Sequence, residues 1–166
     1  DFKVGNFFKI PEPLIQKEFS RIMSLKDGLR KMSKSELSDL SRINLTDDKD
    51  QIVNKIKKAK TDTLPLPFNK DDLDKRPEAK NLLGIYSSLT SSDSEKTIKD
   101  FSGKNFSDFK EELSQVLVDK ISPISSEIKK LLKEASYLDR ILEEGREKAH
   151  EIASKKIKKI HEIMGF

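Results

Sequence analysis

The sequence predicts a mainly α protein: the edge of an α/β domain over residues 1–46, followed by an α-helical bundle over 47–166. Three observations carry this. From residue 47 onward, apolar residues recur at helical spacing. Before it, short extended runs are punctuated by Pro11, Pro13 and Gly28. Charged residues make up 37% of the chain and hydrophobic ones 34%, which suits helices with one buried face around a thin core.

Taken in order, Phe2, Val4, Phe7, Phe8 and Ile10 read as an extended, buried segment that Pro11 and Pro13 end. A core strand with nothing before it to pack on predicts a preceding N-terminal portion. Residues 14–19 suit a short helical turn. Arg21-Ile22-Met23-Ser24-Leu25 reads as a strand and Lys26-Asp27-Gly28 as a turn. Lys31-Met32-Ser33-Lys34-Ser35 then lies on the loop that follows. Arg42-Ile43-Asn44-Leu45 is a second extended stretch.

A helix is predicted over 47–60. Thr46 suits its N-cap, with Asp47, Asp48 and Asp50 in the first turn and Lys55, Lys57, Lys58 and Lys60 near the end. Ile52, Val53, Ile56 and Ala59 form its apolar face. Residues 61–75, with Pro65 and Pro67, read as a surface connection. Pro77 fits the first position of a helix over 77–89 carrying Leu82, Leu83, Ile85, Tyr86 and Leu89. Gly84 within it costs ~1 kcal/mol relative to Ala, which marks a close helix contact. Ser92 suits the cap of a short helix bearing Ile98 and Phe101 and ended by Gly103. Ser107 suits the cap of the next, with Phe109, Leu113, Val116, Leu117 and Ile121 on one side. Pro123 opens a further helix carrying Ile124, Ile128, Leu131 and Leu132. The last helix spans 137–164, lined by Leu138, Ile141, Leu142, Ala149, Ile152, Ala153, Ile157, Ile160 and Ile163, with Gly145 its weak point.

The chain has no cysteine, so disulfides and thiolate metal sites are excluded. This is compatible with a reducing, cytoplasmic setting. No apolar run approaches ~18 residues, the length of a membrane-spanning helix, and no signal-peptide pattern is read around Lys3 and Lys9. The net charge of +4 does not by itself indicate a nucleic-acid partner. Local clustering matters more: 47–50, 71–74 and 108–112 are acidic, and 155–159 is basic.

Each candidate site has a plain alternative. His150 and His161 are eleven residues apart on one helix, about 16 Å, too far to share a metal; they read as solvated. Asp47 and Asp48 suit a Mg²⁺ or acid–base pair, or simply a helix start. Lys155-Lys156-Ile157-Lys158-Lys159 suits contact with RNA phosphates, or the solvated flank of an amphipathic helix. The same division applies to residues 55–60. Arg76 suits RNA, or pairing with Asp72 or Asp74. At residues 31–35, two lysines three apart offer mobile point charges, and two serine hydroxyls add short-range donors. That makes a compact phosphate-binding device, or a lysine-rich surface loop.

Lys31-Met32-Ser33-Lys34-Ser35 is similar to the KMSKS signature of class I aminoacyl-tRNA synthetases. Its surroundings resemble the bacterial-type tryptophanyl-tRNA synthetase family. The blocks are Arg21-Ile22-Met23-Ser24-Leu25, Ile43-Asn44-Leu45-Thr46-Asp47-Asp48, and Asn54-Lys55-Ile56-Lys57-Lys58-Ala59-Lys60-Thr61-Asp62. Arg76-Pro77-Glu78, Asn81-Leu82-Leu83-Gly84-Ile85-Tyr86, Phe109-Lys110, Pro123-Ile124 and Ile163-Met164-Gly165-Phe166 continue the likeness in order. Glu36 stands where the family usually has Asp, and Leu37 where Pro often follows.

The resemblance implies a C-terminal portion of such an enzyme. Residues 1–46 would be the C-terminal part of a Rossmann-type catalytic domain with the KMSKS loop, and 47–166 a helical tRNA-anticodon-binding domain. The HIGH-type ATP motif and most of the tryptophan pocket would lie outside this chain, leaving it inactive alone. It implies a tryptophan–tRNA ligase using ATP with Mg²⁺, with tRNA(Trp) as partner and a homodimer for the intact enzyme. Lys31 and Lys34 would steady charge on the pyrophosphate leaving group. Ile22, through its backbone, and Met32 would border adenine. Ser33 would donate to a phosphate oxygen, and Ser35 completes the ATP-binding set. The rival readings are a non-catalytic RNA-binding helical module and a helical interaction domain with a chance loop.

Overall fold

A computed structural model describes residues 7–15 and 21–165. They divide into two compact units, one within Ile15–Ile128 and the other within Asp1–Leu14 and Lys129–Phe166.

The first unit is mostly helical, with one two-stranded antiparallel hairpin. Strands β1 (Met23–Ser24) and β2 (Asp27–Lys31) are joined at Leu25 and Lys26. The turn therefore precedes Asp27 and Gly28, which the sequence assigned to it, and Lys31 ends a strand. Asp27 favours this placement: its carboxylate accepts the Leu29 N–H at 3.0 Å, while Ser24 Oγ accepts that of Lys26 at 3.2 Å. A 3₁₀ turn follows at Asp39–Ser41. Residues 42–45 form no strand.

Helix α1 is Lys49–Lys57. Its N-cap is Asp48, not Thr46. Asp48 and Gln51 exchange side-chain-to-backbone hydrogen bonds, both 2.9 Å, in a reciprocal capping box. Ile52 and Ile56 are fully buried, and Val53 is 38% exposed. The 61–75 stretch is more than a surface connection. It contains α2 (Lys70–Asp74), capped by Asn69, and it buries Leu66, Pro67 and Leu73. Arg76 ties it down: Nε donates to Asp62 Oδ2 at 2.8 Å and Nη1 to the Pro65 carbonyl at 2.6 Å. Arg76 thus pairs with Asp62 rather than with Asp72 or Asp74; Lys80 takes Asp74 at 2.6 Å.

Helix α3 (Pro77–Thr90) has Pro77 in its first turn, as predicted, and buries Leu82, Leu83, Gly84 and Ile85. It ends on Ser91 in the left-handed region, φ 52°. Helix α4 (Ser94–Phe101) is capped by Asp93, whose carboxylate accepts the Glu95 and Lys96 N–H groups. Ser92 instead accepts a Ser87 hydroxyl bond at the end of α3. Gly103, φ 72°, follows α4 as expected. Tyr86, Phe101 and Phe109 meet edge to face, with centroids 4.8 Å apart for Tyr86–Phe101 and for Phe101–Phe109.

Helix α5 (Phe106–Leu131) begins before Ser107 and runs through Pro123 without a break. Pro123 removes one N–H from the ladder. The buried face set by Leu117, Ile121 and Ser125 continues across it.

In the second unit, α6 (Ala135–Met164) matches the predicted final helix, yet none of its residues is buried. Ile141, Leu142, Ile152 and Ile157 of its apolar stripe stay exposed. Phe8 and Ile10 are exposed, and no strand forms over 7–15, against the expected buried segment. Apolar composition alone does not bury a segment that has no strand to pair with. Phe2, Val4 and residues 16–19 lie outside the described residues. Lys156 Nζ donates to the Phe7 carbonyl at 3.0 Å and sits 3.9 Å from the Phe7 ring centroid.

Candidate functional site

The 31–35 loop leaves a hairpin held on three sides. Leu25, at its turn, is buried in the core; its N–H donates to the Ser41 carbonyl at 2.9 Å and its carbonyl accepts the Lys60 N–H at 2.7 Å. The Asn81 side chain from α3 pairs with the Met23 peptide group, Oδ1 accepting its N–H and Nδ2 donating to its carbonyl, both at 2.8 Å. It satisfies the strand edge as a neighbouring strand would. On the other strand, Gly28 lies against the start of α3. A Cβ there would come within 2.6 Å of the Glu78 nitrogen and the Pro77 carbonyl carbon. The Glu78 carboxylate accepts a hydrogen bond from the Gly28 backbone and pairs with Lys60 Nζ at 2.8 Å. The Lys60 hydrogen bond holds the Glu78 carboxyl below its ordinary pKa.

Beyond this frame the chain turns outward. Met32 is half-buried against the core, and its N–H donates to the Ile22 carbonyl at 3.1 Å, closing the hairpin mouth. Lys31, Ser33, Lys34 and Ser35 are exposed. Ser33 and Ser35 share a hydroxyl bond of 2.9 Å, and Ser33 Oγ accepts the Ser35 N–H at 3.3 Å. Among the described residues neither Lys31 nor Lys34 has an ion-pair partner. Two ammonium groups and two hydroxyls therefore face solvent on a short loop whose base is fixed, an arrangement able to take a polyanion. Ile22 and Met32 are joined directly at that base.

The far side of the loop carries a network that sequence reasoning missed. Lys55 is 3% exposed, and its ammonium donates to Asp39 Oδ2 and Asp47 Oδ2, both at 2.6 Å. Asn44 Nδ2 donates to the same two carboxylates, at 3.0 and 3.2 Å. Arg42 pairs with Asp39 at 3.1 Å, and its Nη1 donates to the Glu36 carbonyl at 2.9 Å. The hydrogen bond from Lys55 pulls the Asp39 carboxyl below the usual carboxylate range. The signal was present in the sequence: Lys55 lies three after Ile52 and one before Ile56, on the buried face.

The remaining candidates separate. Asp47 is buried beneath Lys55 and Asp48 is an exposed helix cap, so they do not converge as a pair. Among the described residues no group of three or more His, Asp or Glu is placed to hold a metal. Lys55 is a buried ion-pair partner and Lys60 pairs with Glu78, while Lys57 and Lys58 are exposed. His150 and His161 are exposed on α6. In the basic stretch, Lys155 pairs with Glu151 at 2.7 Å, and Lys158 and Lys159 are exposed. No helix among the described residues is long and apolar enough to cross a membrane.

Comparison with known proteins places this geometry. The family model for class I tRNA synthetases (W and Y) matches residues 2–122. A tryptophan–tRNA ligase of Brucella melitensis is 46% identical over 166 residues, covering 100% of this chain and 47% of that protein. One of Rhizobium meliloti is 47% identical over 160 residues, covering 96% and 45%. The chain thus spans about half the length of the curated relatives it matches. Among solved structures, the tryptophanyl-tRNA synthetase of Mycoplasma pneumoniae superposes with a TM-score of 0.73 at 25% identity, over 91% of this chain and 45% of that one. The Campylobacter jejuni enzyme complexed with ADP and tryptophan gives 0.65 at 25% identity, over 99% and 49%. With the family match running unbroken from before the hairpin into α5, the anchored lysine–serine loop sits inside a known framework, and the chain belongs to the class I tRNA synthetases of the W and Y family.

Proposed function

We propose that this chain is part of a tryptophan–tRNA ligase, supplying the loop that engages ATP phosphates and a helical region for tRNA(Trp). The observation that carries it is the 31–35 loop: two exposed lysines with no ion-pair partner among the described residues, on a base fixed by Met32, Ile22 and the Asn81 clamp. Whole-chain identity of 46% to relatives named as tryptophan–tRNA ligases supports the substrate assignment. In this reading residues 1–46 are the C-terminal part of a Rossmann-type catalytic domain and 47–166 the tRNA-anticodon-binding domain. The intact enzyme is a homodimer working in the cytoplasm.

In the first step a tryptophan carboxylate oxygen attacks the α-phosphate of ATP. The bond to the β-phosphate oxygen breaks, and pyrophosphate leaves with the electron pair. Lys31 and Lys34 meet the charge that grows on that leaving group, where it is larger in the transition state than in bound ATP. Ser33 and Ser35 exchange their mutual hydroxyl bond for phosphate oxygens. Met32 and the Ile22 backbone border the adenine. In the second step a ribose hydroxyl of the tRNA 3′ end attacks the acyl carbonyl and releases AMP. Mg²⁺ arrives with the triphosphate as part of the substrate; the described residues offer it no ligand cluster of their own.

The test is a chimera in which this chain replaces the matching segment of the Brucella melitensis relative. Tryptophan-dependent ATP–pyrophosphate exchange and tRNA(Trp) charging are the expected results, with Lys34→Ala lowering kcat about 10²–10³-fold. A folded chimera that exchanges no pyrophosphate, or a Lys34→Ala variant with full activity, overturns the proposal. The isolated chain should charge no tRNA.

A further inference from the structure

We propose that Lys55 is a positioning residue for the 31–35 loop, acting through Asp39 and Arg42 to fix the end of the loop that β2 does not hold. The inference rests on the reading of that loop as a phosphate clasp, and it assigns the clasp a second anchor.

The near end of the loop is fixed by the hairpin, through the Met32 to Ile22 backbone bond of 3.1 Å. The far end begins at Glu36. Its carbonyl accepts Arg42 Nη1 at 2.9 Å, and its carboxylate lies 3.4 Å from Arg30 on β2. Arg42 is held in turn by Asp39 at 3.1 Å and by Asn44 Oδ1 at 3.2 Å. Asp39 reaches Lys55 Nζ at 2.6 Å, and Lys55 is rooted on α1 with 3% exposure. The cluster has two cations, Lys55 and Arg42, and two carboxylates, Asp39 and Asp47, so its formal charge sums to zero. A buried ammonium requires such compensation, and with it the geometry is fixed by several short, charge-assisted bonds.

With both ends held, only Ser33, Lys34 and Ser35 are free to close on a polyanion. Few residues then lose freedom on binding, and the lysines start near their working positions. Without the far anchor, the free segment extends toward the Asp39–Ser41 turn. Closure then costs more conformational entropy, and Lys34 becomes more accessible to a protease.

The experiment uses the chain itself with Lys55→Met, Asp39→Asn and Arg42→Met. Asp39 is a half-exposed side chain, so Asp39→Asn remains informative if Lys55→Met, which strands Asp47, does not fold. Trypsin cleavage after Lys34 is followed by mass spectrometry, with cleavage after Lys104, in the connection between α4 and α5 of the same unit, as internal reference. The expected result is a rise of about tenfold at Lys34 with no change at Lys104. Equal acceleration at both sites means a network that only stabilises the fold, and no acceleration at Lys34 in any folded variant means no anchor; either overturns the proposal. Binding of inorganic tripolyphosphate, read by calorimetry, separates the two readings. Wild-type chain that fails to bind it counts against the phosphate clasp. Site-specific cleavage still decides the anchor.

Discussion

At Gly28 a hydrogen in place of a side chain lets β2 lie on the first turn of α3. The Glu78 nitrogen and Pro77 carbonyl carbon lie 2.6 Å from where a Cβ would stand, and both are backbone atoms that cannot rotate away. Gly28→Ala must therefore push the hairpin off α3, stretching the Asn81 clamp on Met23. A loss of about 1–3 kcal/mol or more is expected, as for other overpacked sites, measured by urea unfolding. The sequence marks Gly28 as special but suggests a turn. Its true constraint is contact with a helix some fifty residues later, which no local pattern encodes. Lys55 teaches the opposite. Its place among Ile52, Ile56 and Ala59 marked it as inward-facing, but lysine-rich surroundings made it look like one of several solvated charges. Only the approach of Asp39 and Asp47 makes a buried ammonium tolerable there.

Among the elements, helices with a strong apolar period were readable: α1, α3 and α6 lie within a few residues of where apolar spacing puts them, with Pro77 marking the start of α3. The caps themselves shifted. Thr46, Ser92 and Ser107 are all plausible N-caps, yet Asp48 and Asp93 do the capping, because several adjacent residues can accept an N–H and packing selects the register. The join between α1 and α5 is a tertiary feature. Lys110 on α5 donates from Nζ to the Ala59 carbonyl at 2.6 Å and lies 3.4 Å from that of Lys57, satisfying the end of α1. Burial pushes its ammonium below the ordinary lysine pKa. Lys110→Met keeps the apolar stem and removes the donor. It should destabilise by about 1–3 kcal/mol, as expected for stranded carbonyls, with faster amide exchange confined to the last turn of α1. Equal protection of that turn in both proteins would refute this account. Pro123 shows the limit of a local rule. Proline is disfavoured inside a helix by about 3 kcal/mol, so a helix start was the natural reading. The helix continues instead, with Ile121 buried before Pro123 and Ser125 buried after it.

For the molecule as a whole, the carboxylates set the response to acid. Lysine partners lower the pKa of three: Asp39 through Lys55, Asp74 through Lys80 and Glu78 through Lys60. A carboxyl with a lower pKa in the folded state favours folding above its unfolded value, about 4, and that contribution is lost as pH falls through the folded value. The thermal midpoint should hold between about pH 7 and 5 and fall below about pH 4. Asp39→Asn and Glu78→Gln should each lower the midpoint at pH 7 and flatten the acid limb. An acid limb as steep in both variants as in the wild-type chain would show that other groups set it. The sequence by itself determined the mainly helical class, the family likeness and the outward lysine–serine loop, because periodicity, cap chemistry and motif spacing are local. Tertiary structure decided what holds that loop. Asn81, Glu78, Ser41 and Lys60 converge on the hairpin, and Lys55 converges with Asp39 on the loop's far end. These partners are separated along the chain, and the core brings them together, turning a charged surface loop into one anchored at both ends.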